Sequence, residues 1–276
     1  MSTLTEKSAI VSGAGRGIGR EIALKLARAG ASVVVNDLDA EPAKETVAAI
    51  EALGGRAVAV PGSVTAPGFA DAFVGAAVDS FGALDIIVNN AGYTWDGVIQ
   101  KVTDEQWDAI LDVHLTAPFR ILRAAQPVIS AAVKQARSAG AAVPCRKVVN
   151  VSSIAGLGGN AGQVNYAAAK AGILGVTKTL AREWGRYNVT VNAVAFGLIK
   201  TRLTEAPTGG DSTIDVSGRE IRVGVNPDLL AEMERSIPLG RGGTPEDAAN
   251  AVYLLCIPES DYVSGQTLVC GGGFTL

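Results

Sequence analysis

The stretch Ser8-Ala-Ile-Val-Ser-Gly-Ala-Gly-Arg-Gly-Ile-Gly-Arg-Glu-Ile-Ala-Leu-Lys-Leu-Ala27 decides the fold. Ser8 to Ser12 is a short apolar run of the kind that forms a buried strand, and from Arg20 the apolar residues recur at helical spacing. Gly13, Gly17 and Gly19 stand between them. Glycine lets the backbone turn tightly and approach a ligand, while a helix start offers unpaired amides and the positive end of its dipole. A glycine turn placed between strand and helix therefore points to a dinucleotide pyrophosphate. Asp37 closes the next strand-like run, Ser32 to Asp37, at about the 20-residue distance expected of a ribose-binding acid. Its carboxylate would repel the additional phosphate of NADP, so NAD is favoured as cofactor, although Arg16 can attract a phosphate. A turn-forming role for Asp37 in Asn36-Asp37-Leu38-Asp39 is the structural alternative.

Working outward, Ala57 to Pro61, Asp85 to Asn89, Lys147 to Ser152 and Val189 to Val194 repeat the short apolar run, with longer helical patterns between them. Nearly continuous apolar strands suit a parallel sheet covered on both faces. The expected fold is α/β: a single-domain Rossmann-like doubly wound parallel sheet of about seven strands with helices on both faces, spanning residues 1–276. Thr103-Asp-Glu-Gln106 and Thr244-Pro-Glu-Asp247 mark helix starts, where a hydroxyl caps the first amides. Lys134 to Arg146 and Thr204 to Asn226 break the alternation and read as loops or insertions. The second leads into a helical pattern, Pro227 to Ser236, so a substrate-covering segment is expected at about 203–236.

Only 18% of the 276 residues are charged and the formal net charge is −3, which leaves no basic footprint for nucleic acid or an anionic membrane. Cys145, Cys256 and Cys270 have no CxxC spacing, and with one histidine in the chain no metal site is expected. Met1 to Lys7 lacks the apolar run of a signal peptide, and no apolar stretch reaches the ~18 residues of a membrane span. A soluble, reducing, cytoplasmic setting is expected.

Tyr166 and Lys170 stand four residues apart in an Ala-rich helical run, with Ser153 thirteen residues before the tyrosine. On a helix the phenol and the ammonium share one face. A cation beside a phenol favours phenolate, and lowering its pKa of about 10 by ~3 units takes ~4 kcal/mol of differential stabilisation. An exposed pair on a solvated helix is the structural alternative.

Taken in order, Ser12 to Gly19, Asn89-Asn-Ala-Gly92, Ser153, and Tyr166 through Lys170 make the chain resemble the short-chain dehydrogenase/reductase family almost end to end. Val191 to Thr201 and Ser264 to Gly273 are weaker parts of the match. The resemblance implies that Tyr166 exchanges a proton with the substrate oxygen, that Ser153 hydrogen-bonds that oxygen, and that Lys170 holds the nicotinamide ribose and lowers the tyrosine's pKa. It further implies that Arg16 and Ile18 amides meet pyrophosphate, that Ser63 and Val64 flank adenine, and that Asn90, Ala91 and Gly92 line the adenosine side. Gly197, Ile199 and Thr201 are implied beside the carboxamide and phosphate. A homo-oligomer, dimer or tetramer, is implied as well.

The chain departs from the family at His114, where most members carry a fourth catalytic residue, asparagine, in a helix distortion; a packed structural histidine is the favoured reading over direct proton transfer. Ser63 replaces the usual acid near adenine, Phe196 the usual proline, and Ser12 the usual threonine. Val33 to Asp37 with Val113 to Leu115 resembles 3-oxoacyl-(acyl-carrier-protein) reductase-like and (3R)-hydroxyacyl-CoA dehydrogenase members. The implied activity is hydride transfer between NAD(H) and a 3-oxoacyl/3-hydroxyacyl thioester, with acyl carrier protein a candidate partner. The alternatives are another secondary alcohol, such as a steroid, polyol or terpenoid, and an NAD-binding sensor or scaffold without turnover.

Overall fold

The apolar runs pair side by side, as strands buried on both faces must. The computed structural model describes residues 3–201, 212–216, 218–224 and 227–274. Its strands are β1 (Ser8–Val11), β2 (Ser32–Val35), β3 (Ala57–Ala59), β4 (Ile86–Asn89), β5 (Arg146–Ser153), β6 (Val189–Phe196), β7 (Ser212–Val216), β8 (Arg219–Val223) and β9 (Thr267–Cys270). Seven of them form one sheet in the order β3-β2-β1-β4-β5-β6-β9. Every pairing in it is parallel. The order reverses between β1 and β4, which opens a crevice at their carboxyl ends.

The helices are α1 (Gly17–Arg28), α2 (Ala40–Ala52), α3 (Phe69–Phe81), α4 (Asp104–Leu111), α5 (Ala117–Ser138), the short α6 (Ala155–Gly158), α7 (Val164–Trp184), α8 (Pro227–Ser236) and α9 (Pro245–Leu254), of which α1, α2 and α9 cover one face of the sheet and α3, α5 and α7 the other. Alternation along each strand divides the interior in two. Ala9 and Val11 pack with Ile22 and Leu26 of α1, Ile50 of α2 and Val252 of α9. Ile10, between them, faces Phe73 of α3 and Ile121 and Ile129 of α5 on the other side. The result is the doubly wound, Rossmann-like α/β architecture read from the sequence.

Both capping boxes form. Thr103 and Thr244 each accept from the amide three residues on, and the Gln106 and Asp247 side chains accept in return. Differences lie at the ends and in the two irregular segments. β3 stops at Ala59 rather than Pro61, although the Val60 amide still reaches the Val35 carbonyl at 2.9 Å. Lys134 to Ser138 are the last turns of α5 rather than a loop, because Val133 is buried and the helix ends only where Gly140 takes φ +67°. Thr204 to Asn226 is not wholly irregular, since β7 and β8 form a separate antiparallel hairpin. Gly218 turns it at φ +82°, its amide donating to Asp215 at 3.0 Å. Residues 202–211, 217 and 225–226 lie outside the described residues, so that part of the expectation has no structural counterpart.

Two glycines show how differently the fold treats the same residue. A Cβ on Gly19 would overlap the Gly13 carbonyl and the Asn90 amide, whereas on Gly75, inside α3, it would meet only Asp79 at 3.9 Å. Gly19→Ala should destabilise by ~1–3 kcal/mol through overpacking, and Gly75→Ala should stabilise by ~0.5–1 kcal/mol. Denaturant midpoints that moved in the same direction would contradict this assignment.

Candidate active site

The crevice is a cavity of about 1880 Å³ at the carboxyl ends of the strands. At one end lies the glycine turn. Gly13 at φ +61° and Gly17 at φ +54° carry the chain from β1 into α1, and a Cβ on Gly13 would come within 2.8 Å of Ala91 Cα. Arg16, the N-cap of α1, is extended and makes no side-chain cap. The first amides of α1 therefore face the cavity without a capping side chain, and glycine leaves room beside them. This donor set and this space fit a pyrophosphate.

Polar side chains sew the turn in place. Asn90 donates to the Ser12 and Gly13 carbonyls at 2.9 and 3.0 Å, while Ser12 Oγ accepts from the Asn90 and Ala91 amides. Asn36, which sequence reasoning passed over, accepts from the Gly13 amide and donates to the Val60 and Gly62 carbonyls. A polar residue closing a valine run was the signal for it. Asp37 stands at the cavity wall, one oxygen accepting from the Gly15 amide at 3.0 Å. Arg16 lies 3.9 Å from Asp37 but only 2.7 Å from Asp39. Ser63 and Val64, Asn90 to Gly92, and Gly197, Ile199 and Thr201 all line the same cavity, as does Ile18. Gly197 approaches β9 so closely that its Cβ would lie 2.9 Å from Gly271 Cα.

Farther along, β5 delivers Ser153 and α7 delivers Tyr166 and Lys170, one turn apart on one face. Lys170 is buried, its Nζ donating to the Val151 carbonyl at 2.8 Å and standing 5.6 Å from the Tyr166 ring centroid. Ser152 Oγ fixes the same turn by donating to the Lys170 carbonyl at 2.8 Å. Asn165 was not anticipated. Its side chain accepts from the Tyr166 amide at 2.8 Å and donates to the Trp95 and Gln106 carbonyls, holding the start of α7 against the β4 loop.

His114 sits in a π-helical turn, Asp112–Thr116, between α4 and α5, where the sequence reading expects a helix distortion. The ring is buried, and its Nε2 is 2.7 Å from the Tyr93 carbonyl. A carbonyl only accepts, so Nε2 carries the proton and donates. The Nδ1 atom is buried with no partner among the described residues. The imidazole meets Tyr166 edge-on, centroids 5.1 Å apart at 89°.

Burial sets the charge states. It pushes the Tyr166 phenol up to about 12, against a lowering hydrogen bond from Ser153 and with a further push from Asp96. It also draws the Lys170 amine down to about 7. The direction at Tyr166 is opposite to the lowering expected from Lys170, because loss of hydration is the largest influence on the half-buried Tyr166 and the buried Lys170 alike. Burial, then the Lys170 charge, hold His114 well below the ordinary imidazole value, against the bond to Tyr93.

Comparisons with known proteins give the family. A family model described as enoyl-(acyl carrier protein) reductase matches residues 13–275. A 3-oxoacyl-[acyl-carrier-protein] reductase of Synechocystis is 37% identical, with 100% of both chains covered. Reductases of the same name from Staphylococcus aureus and Vibrio cholerae are also 37% identical, covering 97% and 98% of this chain and of their own. The chain belongs to the short-chain dehydrogenase/reductase family, a family of oxidoreductases that use a nicotinamide cofactor. No helix among the described residues is long and apolar enough to cross a membrane.

The lowered Lys170 value has a measurable consequence. Between about pH 7 and the ordinary 10.5 the unfolded chain binds the proton that the folded chain has shed. Stability contributed by this group therefore rises with pH across that window, and the burial penalty is full below it. In thermal unfolding, the Tm of Lys170→Met minus that of the natural chain should be largest below pH 7 and shrink steadily toward pH 10.5. A difference independent of pH would mean that burial does not govern the amine.

Proposed function

We propose that the chain reduces the 3-oxo group of an acyl thioester to the 3-hydroxy product, with NAD(H) favoured over NADP(H). The observation that carries this reading is the convergence of the Tyr166 phenol and the Ser153 hydroxyl in the cavity that continues into the dinucleotide cradle. A protonated phenol beside a hydroxyl can donate its proton to a substrate oxygen. When bound, the nicotinamide supplies the hydride that converts the carbonyl carbon to a carbinol.

The residues of the chain handle the oxygen. As negative charge develops on it, Tyr166 gives up its proton and the Ser153 hydroxyl donates a hydrogen bond, so no alkoxide is released into a dry site. The phenolate left behind is stabilised by Lys170, the cation nearest its ring. An amine drawn to about 7 gains and loses a proton readily at neutral pH, which suits it to restore the phenol after each turnover. His114, held neutral and bonded to Tyr93, braces the ring from the side and does not compete for the proton.

Support for the substrate comes from the names of the full-length relatives, which are 3-oxoacyl reductases. The family description names an enoyl substrate instead. A proton donor and a hydroxyl converging on one oxygen favour the carbonyl. For the cofactor, the Asp37 carboxylate at the end of β2 disfavours a ribose phosphate, and Arg16 is already engaged with Asp39.

Initial rates with 3-oxoacyl thioesters test both parts. Tyr166→Phe should lower kcat by roughly 10²–10⁴-fold; retention of most of the rate would remove Tyr166 as donor. Asp37→Ser should shift the ratio of kcat/KM for NADH over NADPH toward NADPH by at least ~10-fold, equivalent to ~1.4 kcal/mol. An unchanged ratio would remove Asp37 as the selecting group.

A further inference from the structure

Beyond Tyr166 the cavity reaches Trp95, Asp96 and the β7–β8 hairpin, whose Asp215, Val216 and Arg219 line it. The hairpin is not part of the main sheet. It is anchored through the buried Ile221 and through Arg219, whose Nε lies 2.7 Å from Glu105 on α4. The same guanidinium lies 6.0 Å from the Trp95 ring centroid. Arg219 therefore bridges from hairpin to α4 across the indole, its stem covering apolar surface while its head pairs with the acid.

The charge of this wall decides which arm of a thioester it can face. Asp96, Glu105, Asp108, Asp215 and Glu220 line the cavity with Arg219, while its other cations, Arg16, Arg120 and Lys170, are held at Asp39, Asp112 and the Val151 carbonyl, so carboxylates dominate around the hairpin. A phosphate-bearing carrier arm placed here would meet like charge, whereas an acyl tail carries none. We infer that this end of the cavity takes the acyl tail, and that Arg219, clasped to Glu105 across Trp95, is the residue that limits tail length. The inference rests on the thioester reading above.

The clasp is substantially exposed, 41% at Arg219 and 59% at Glu105, so it adds little to global stability and acts by fixing where the hairpin lies. Its loss should therefore leave the chain folded and change what fits beneath the hairpin.

The test uses 3-oxoacyl thioesters of N-acetylcysteamine, which carry no phosphate, with acyl tails from short to long. In the natural chain kcat/KM should fall as the tail lengthens. Arg219→Ala and Glu105→Gln should each raise the ratio of long-tail to short-tail kcat/KM by roughly 10-fold, and Arg219→Lys, which keeps a cation opposite Glu105, should stay near the natural ratio. An unchanged ratio in Arg219→Ala, or an equal loss for every tail, would overturn the inference while leaving the thioester reading intact. If the natural chain reduced simple ketones but no thioester of any length, both would fall.

Discussion

A parallel sheet covered on both faces has to end its strands along one edge, and there the last amides and carbonyls lose their ladder partners. A buried polar group left without a partner costs about 1–3 kcal/mol. In this chain side chains take over the unfinished ladder. Asn36 joins the ends of β1 and β2 to the chain after β3, Asn90 joins β4 to the glycine turn, and Lys170 closes the Val151 carbonyl of β5. Asn150 links β4 to α7 through Asn89 and Thr177. The edge that needed these bonds is where the cavity lies, so the groups that complete the sheet also hold the site still.

The chemistry inherits this economy. Lys170 and His114 are buried and Tyr166 is half-buried beside them, and loss of hydration favours the neutral form of each. Charge in such a place is tolerated only when an opposite charge appears beside it. A proton leaving Tyr166 would create an anion beside Lys170 that favours its cationic form, which makes the two groups an electrostatic unit. The Val151 carbonyl and the Ser153 hydroxyl give that unit fixed partners on the sheet side.

The architecture was legible because periodicity records burial: runs apolar on both faces, each followed by a helical pattern, leave few alternatives to a doubly wound sheet. The glycine turn, Asp37, Ser153, Tyr166 and Lys170 were legible because their spacing matched the chain's path from strand to helix. Asn165 was not, since it acts on the Trp95 carbonyl, distant in sequence, and such a bond leaves no local pattern; Asn36 left only the trace of a polar residue closing a valine run, with its Val60 partner equally distant. The last turns of α5 were hidden by small and polar residues whose helical role depends on Val133 being covered by other elements. The hairpin was missed although Gly218 lies between two alternating runs, because a polar, glycine-rich context masked its period. The direction at Tyr166 was missed for a related reason: spacing shows that a cation lies near a phenol, but not how far the fold strips water from each.

Gly92 and His114 occupy one space. A side-chain carbon at 92 would fall on the imidazole, whose Nε2 is fixed by the Tyr93 carbonyl one residue along. The two positions are therefore bound by an order of events rather than by identity alone. A lineage that first trades the imidazole for something smaller opens a vacancy at 92 and leaves the Tyr93 carbonyl to find another donor. The opposite order passes through a collision beside the phenol, so the route back to a different residue at 114 is passable in one sequence of steps and closed in the other.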